Sequence, residues 1–181
     1  ATLIEKYTKE EDQPKRAQHI NRIKSSVSHL TEILEEFLSV GKLEDGKLEL
    51  HPSEFSVRDF LLDIISDFST YQRTIRLELE GDYTCVQDAS ILRKVIFNGL
   101  SNALKFSQKE VVLRVIPQKE SVTLVIIDQG IGISEEDQKH LFERFFRVDK
   151  SGARSEGGSG LGLAIVKHII EAHDERIYVE S

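Results

Sequence analysis

The apolar positions of the chain change their spacing several times, and each spacing predicts a different structural element. From Pro14 to about Val40, apolar residues recur at alternating steps of three and four positions, which is the spacing of a heptad seam. The seam consists of Ile20, Ile23, Val27, Leu30, Leu34 and Phe37. A stripe this narrow predicts a helix that packs against another helix in a bundle or coiled coil; the alternative is a helix that packs onto its own domain.

After this helix, helical and strand patterns alternate along the chain. Amphipathic helical spacing occurs at 56–70, 89–106, 134–141 and 160–172. Alternating or continuous apolar runs predict strands at 75–79, 84–86, 110–116, 121–128 and 176–180, with a further short strand within 40–50. The two strands that flank P-Q-K-E predict a hairpin. This order predicts an α+β fold: residues 47–181 form a two-layer α/β sandwich, a mixed sheet covered by helices, and residues 1–43 form a helical segment before it.

Composition narrows the class of protein. The chain has 181 residues, of which 39% are hydrophobic and 30% charged, the balance of a globular domain with a real core. Its net charge of −7 argues against a nucleic-acid surface. The apolar runs are too short to span a bilayer, so we expect membrane attachment, if any, through segments outside this chain. Cys85 is the single cysteine, which favours a reducing, cytoplasmic location, and the absence of methionine suggests an excised fragment.

The helix predicted at 89–106 carries polar residues on one face. Asn98, Asn102 and Lys105 follow one another at i, i+4 and i+7. Amides in an apolar stripe are costly to bury without partners, and an amide oxygen is a suitable Mg²⁺ ligand when phosphates and waters complete the coordination. A lysine at the helix end could reach a phosphate. The alternative is that these amides cap neighbouring loops.

A strand ending in Asp128 leads into the glycine-rich sequence D-Q-G-I-G-I. A carboxylate at a strand end can accept a hydrogen bond, and Gly130 and Gly132 leave room for a flat ligand such as adenine. An ordinary Asp-Gln-Gly turn is the alternative reading of this stretch.

A second glycine-rich stretch, S-E-G-G-S-G-L-G-L, leads into the helix predicted at 160–172. Backbone N–H groups and the helix dipole favour an anion at such a place, and Gly158, Gly160 and Gly162 would let it approach. The stretch is not a dinucleotide fingerprint, because no strand precedes it, and not a Walker A loop, because Leu163 stands where lysine is required. The alternative is a plain turn into a helix.

Taken together, these motifs resemble those of sensor histidine kinases. F-N-G-L-S-N-A-L-K-F-S resembles the N box, D-Q-G-I-G-I the first glycine box, F-E-R-F-F-R-V-D the F box, and G-G-S-G-L-G-L-A-I-V-K-H the second glycine box. Their order and separations also match, and the resemblance extends from about residue 14 to the end of the chain. G-K-L-E-L is similar to the usual join between the dimerisation helices and the catalytic domain.

The resemblance implies a Bergerat-type ATP-binding sandwich, shared with gyrase, the heat-shock chaperone ATPases and the MutL repair proteins, with ATP and Mg²⁺ as ligands. It implies a nucleotide site made of Asn98, Asn102, Lys105, Phe106, Asp128, Gly130, Gly132, Arg147, Gly158, Gly160, Leu161 and Gly162. Within that set, Asn102 would hold the metal with Asn98 nearby. Lys105 and Arg147 would meet phosphate and, with Asn102, serve catalysis. Asp128 would receive the adenine amino group, and residues 146–159 would form a lid.

The resemblance also implies a reaction, the transfer of the γ-phosphoryl group of ATP to a histidine for relay to a response-regulator receiver domain. The acceptor motif of the family, a histidine followed by an acid and a Thr-Pro pair, is missing from this sequence. His29 does not fit the motif, because neither an acid nor a Thr-Pro pair follows it in the required positions. We therefore expect the acceptor upstream of Ala1, residues 1–43 to be the later part of the dimerisation helices, and a homodimer through them. Asp174 and Glu175 also stand where glycines are usual. The alternatives are an ATPase of the wider superfamily and a non-catalytic nucleotide sensor.

Overall fold

A computed structural model of the chain describes residues 50–69, 71, 74–119, 121–148, 159–173 and 175–181, together with positions 13, 17, 19, 20, 23 and 27. Those six isolated positions are helical. The other elements are β1 (Ser53–Ser56), α1 (Val57–Ser66), β2 (Ile75–Glu78), β3 (Thr84–Gln87), α2 (Ala89–Phe106), β4 (Val111–Pro117), β5 (Val122–Ile127), α3 (Glu135–His140) and α4 (Gly162–Ala172).

Side-chain caps fix where three of the helices begin. Ser56 accepts the N–H of Asp59 at the start of α1, and Ser134 does the same for Asp137 at the start of α3. Asp88 accepts the N–H groups of two residues in the first turn of α2. Short polar residues before amphipathic stretches therefore set the boundaries of these helices.

The strands form two sheets. In the three-stranded sheet, β4 is central, parallel to β2 and antiparallel to β5, so that Leu113 lies opposite Leu77 on one side and Ile126 on the other. In the two-stranded sheet, β1 runs antiparallel to β3, with Ser53 opposite Gln87. The mixed sheet and the β4–β5 hairpin are both confirmed.

The site helix α2 lies between two apolar clusters. The larger cluster joins α1 and α2 to the three-stranded sheet, and its fully buried members include Leu61, Ile64, Leu100, Leu104 and Leu113. The smaller cluster joins α2 to α4 through Ile91, Leu161, Ile165 and Ile169. One side of α2 therefore packs on the sheet and another packs on α4. These two contacts fix the orientation of the polar face of α2.

One predicted strand is wrong, one lies almost wholly outside the described residues, and one observed strand has no predicted counterpart. The prediction of a strand at 176–180 is wrong, because residues 175–181 form no strand. The Ser181 hydroxyl accepts the N–H of Ile133 at 2.7 Å, and the Glu175 N–H donates to the carbonyl of Ile170 at 3.0 Å. Strand β1 was not predicted, because Phe55 is its single large apolar residue. The strand predicted within 40–50 lies outside the described residues except for Leu50, which is in no strand.

The described part of the heptad helix agrees with the pattern. Ile20, Ile23 and Val27 are helical and 38%, 43% and 56% exposed. The remaining seam positions lie outside the described residues. No helix in the described part of the chain is both long and apolar enough to cross a membrane.

Candidate functional site

The polar face of α2 is organised as the sequence predicts. Asn98, Asn102 and Lys105 lie on α2, and each is half-buried. The Asn98 Nδ2 donates to the carbonyl of Lys94 at 2.9 Å. The side-chain amide of Asn102 makes no hydrogen bond to any residue that the structure describes. A half-buried amide without a protein partner is costly unless a ligand or water satisfies it, which makes Asn102 a candidate ligand contact.

The N-terminus of α4 meets this face at Asn98. A Cβ atom at Gly162, the first residue of α4, would lie 2.7 Å from the Oδ1 of Asn98. The helix has no side-chain cap, because its N-cap residue is the buried, apolar Leu161. The N–H groups of the first turn, for which the described residues supply no side-chain cap, and the positive end of the helix dipole therefore lie next to the α2 amides. This arrangement favours an anion.

The turn after β5 meets the other end of the same face. Gly130 approaches so closely that a Cβ would lie 2.7 Å from the carbonyl oxygen of Phe106, the last residue of α2. The Gly130 N–H donates to the Oδ1 of Asp128 at 2.8 Å. Asp128 is exposed, and the Phe106 ring, 50% exposed, lies under the Lys105 ammonium at 5.2 Å from its centroid.

Ser107 links the end of α2 to this turn, a role that the sequence analysis missed. Its side chain is 1% exposed, and its Oγ accepts the N–H of Gln129 at 3.2 Å. The Gln108 N–H donates to the carbonyl of Gln129 at 3.3 Å. The sequence gives only a weak signal for this contact, because a serine between a helix and an apolar strand is common at ordinary helix ends.

The two ends of the predicted lid are held together. The Phe145 N–H donates to the carbonyl of Gly160 at 3.0 Å, and both residues have positive φ, +64° and +73°. A Cβ at Gly160 would lie 2.9 Å from the Phe145 Cα. Both this close approach and the positive φ therefore require glycine at position 160. Arg147 is exposed at the start of the segment, whereas 149–158, including Gly158, lie outside the described residues.

The site is long and chemically asymmetric. Asn98 and Phe106 are eight residues apart on α2, or about 12 Å along the helix axis. An uncapped helix N-terminus lies at one end, and a carboxylate with a glycine turn lies at the other. A ligand that fits is elongated, anionic at the α4 end and flat with a hydrogen-bond donor at the Asp128 end.

Comparison with known proteins agrees with this geometry. Residues 87–181 match the family model described as histidine kinase-, DNA gyrase B- and HSP90-like ATPase. The chain is 32% identical over 173 residues to the circadian input-output histidine kinase CikA of Synechococcus elongatus, covering 91% of the chain and 23% of that relative. The chain spans about a fifth to two fifths of the length of the curated relatives it matches.

Two solved structures share the fold. The Acinetobacter baumannii histidine kinase AdeS superposes with a TM-score of 0.70 at 22% identity, covering 84% of this chain and 72% of AdeS. Full-length ShkA in complex with AMPPNP superposes with a TM-score of 0.71 at 23% identity, covering 87% of this chain and 34% of ShkA.

Proposed function

Since the chain belongs to the family of histidine kinase-, DNA gyrase B- and HSP90-like ATPases, we propose that it is the ATP-binding catalytic part of a sensor histidine kinase. One observation carries the proposal. The uncapped start of α4 and the Asp128 turn meet the two ends of one polar face on α2, at Asn98 and Phe106. The crystallised neighbour ShkA, which holds the ATP analogue AMPPNP, supports the same class of ligand.

The phosphates of ATP bind at the α4 end. The backbone N–H groups of the first turn of α4, after Gly160 and Leu161, supply the donors, and Gly162 lets the phosphates approach. Lys105, three residues after Asn102 on α2, would reach the phosphates by turning its side chain away from the Phe106 ring, over which its ammonium lies in the described structure. Arg147 would add a second positive charge, and Gly158 would contribute from the lid over 146–159. This arrangement neutralises the triphosphate without a Walker A lysine.

Mg²⁺ fits between the phosphates and α2. The half-buried Asn102 amide, which has no described partner, would supply one oxygen ligand, with Asn98 beside it. ATP phosphates and waters would fill the other positions. The ion would neutralise charge on the phosphates during transfer.

Adenine binds at the opposite end of α2. Asp128 Oδ1 is engaged by the Gly130 N–H, which orients the carboxylate and leaves Oδ2 to accept the adenine 6-amino group. The exposed half of the Phe106 ring lines the pocket, and Gly130 and Gly132 leave room for the base.

The reaction is transfer of the γ-phosphoryl group to a histidine nitrogen on a dimerisation helix. The chain contributes positioning and charge neutralisation rather than a nucleophile of its own. In this proposal residues 1–43 belong to the dimerisation helices of a homodimer, and residues 47–181 form the catalytic domain. The phosphohistidine then passes its phosphoryl group to a response-regulator receiver domain, in the cytoplasm, with any membrane anchor outside this chain.

Phosphotransfer in trans tests the proposal. The chain is mixed with radiolabelled ATP, Mg²⁺ and a separate dimerisation-helix protein that carries an acceptor histidine. We expect acid-labile, alkali-stable label on the acceptor, lost with Asn102→Ala and retained with Gln118→Ala, a control in the β4–β5 hairpin. Tight ATP binding without transfer to any of several acceptors would favour a nucleotide sensor, and no ATP binding at all would refute the proposal.

A further inference from the structure

We propose that Ser107 is a positioning residue for base recognition, because its hydroxyl holds the Asp128 turn against the end of α2. The inference rests on the proposed function and adds to it a residue that touches no part of the nucleotide.

The Ser107 hydroxyl joins three segments of the chain. Its Oγ donates to the carbonyl of Lys109 at 3.0 Å, and it accepts the N–H groups of Lys109 and Gln129, both at 3.2 Å. Its own N–H closes the last turn of α2 on the carbonyl of Ala103 at 2.8 Å. The side chain is 1% exposed, so water cannot replace these contacts without a rearrangement.

Gln129 is held on both sides of its backbone. Ser107 Oγ accepts its N–H, and the Gln108 N–H donates to its carbonyl at 3.3 Å. Its two neighbours in sequence are Asp128, which carries the base-binding carboxylate, and Gly130, which abuts the Phe106 carbonyl. The two hydrogen bonds at Gln129 therefore set the position of the carboxylate relative to α2.

Removal of the hydroxyl leaves the part-buried backbone N–H groups of Gln129 and Lys109, and the carbonyl of Lys109, without this partner. The turn can then shift to find water, and the Asp128 carboxylate moves with it. The phosphate end, where Gly162 approaches Asn98, lies about 12 Å away along α2. Loss of Ser107 Oγ should thus weaken recognition of the base more than binding of the phosphates.

Matched nucleotides separate these two effects. ATP and purine riboside triphosphate differ only in the 6-amino group, so the ratio of their affinities measures the contact of that group with Asp128. In the unmodified chain we expect ATP to bind roughly tenfold more tightly. Ser107→Ala should bring the ratio close to one and leave the affinity for purine riboside triphosphate nearly unchanged. Ser107→Thr, which keeps the hydroxyl, and Ser66→Ala, a serine on α1, should retain the ratio.

The outcomes are distinguishable. Suppose that the unmodified chain binds ATP more tightly than purine riboside triphosphate and that a folded Ser107→Ala variant keeps the same affinity ratio. This result overturns the role of Ser107 and leaves the proposed function intact. An equal loss of affinity for both nucleotides also overturns it, because a general structural role predicts that result. If Ser107→Ala does not fold, Ser107→Cys takes its place, since a thiol fills the space but forms weak hydrogen bonds. An unmodified chain that binds neither nucleotide refutes the proposed function, and this inference with it.

Discussion

Replacing Asp88 by asparagine should destabilise the folded chain in a pH-dependent way. Asp88 is 8% exposed, and its Oδ1 accepts the N–H groups of Ser90 and Ile91 at 3.0 and 3.2 Å, while its Oδ2 accepts the N–H of His51 at 2.9 Å. The carboxylate therefore caps α2 and also fastens the segment that enters β1. Asparagine keeps an oxygen for the cap, but its NH₂ group would face the His51 N–H, donor against donor.

The magnitude follows from the pKa of the carboxyl. Its hydrogen bonds, above all with the His51 N–H and the Ser90 hydroxyl, lower the pKa of Asp88 from 3.8 to about 2, against the opposing effect of burial. That difference corresponds to about 2 kcal/mol in the free energy of unfolding. Because the folded-state pKa lies below the unfolded-state pKa, this stabilisation is present above about pH 4 and is lost as the pH falls toward about 2.

Urea unfolding at a series of pH values measures the effect. The difference in free energy of unfolding between the unmodified chain and Asp88→Asn should be about 2 kcal/mol at neutral pH and should shrink between about pH 4 and pH 2. Glu80→Gln, a substitution at an exposed carboxylate, is the control and should show little difference. Equal stability of Asp88→Asn at neutral pH, or a difference that does not vary with pH, would refute this account of the carboxylate.

Two further substitutions test the two ends of the site. Gly160→Ala should lower the thermal midpoint and weaken ATP binding, because a Cβ at φ +73° would meet the Phe145 backbone at 2.9 Å; an unchanged midpoint in a thermal scan would contradict that contact. Asp128→Asn should weaken ATP binding by about 1.5–3 kcal/mol through loss of a charge-assisted hydrogen bond, and calorimetry that finds the same affinity would contradict the assignment of Asp128.

The sequence predicts most of the elements because local signals specify them. In α2, the cap at Asp88 and the apolar spacing that follows it indicate both the start and the inner face of the helix. The strands β4 and β5 are mainly apolar runs, each interrupted by one polar residue, and a short polar turn joins them. Local pattern suffices to identify such a hairpin. The site residues on α2 follow from the same periodicity, since i, i+4 and i+7 share a face of any helix.

The errors concern features that depend on contacts between distant residues. Strand β1 has little apolar pattern and is defined by its pairing with β3. The run at 176–180 has a strand pattern, but it forms no strand in the described structure, and a side-chain hydroxyl supplies its contact with Ile133. The hydrogen bond between Ser107 and Gln129 joins residues 22 positions apart, so the local sequence carries little signal for it.

The central claim is that one nucleotide lies along α2, with its base at Asp128 and its phosphates at α4. An NMR titration of the isotope-labelled chain with ATP and Mg²⁺ tests this most directly, because each backbone amide reports separately. We expect the amides of Asn102, Gly130 and Gly162 to shift together with a single dissociation constant. The amides of Gln118 and Ser121, in the β4–β5 hairpin turn at the opposite end of β5 from Asp128, should stay in place. Shifts that are confined to the hairpin turn, or that follow different dissociation constants at Gly130 and Gly162, would contradict a single nucleotide bound along α2.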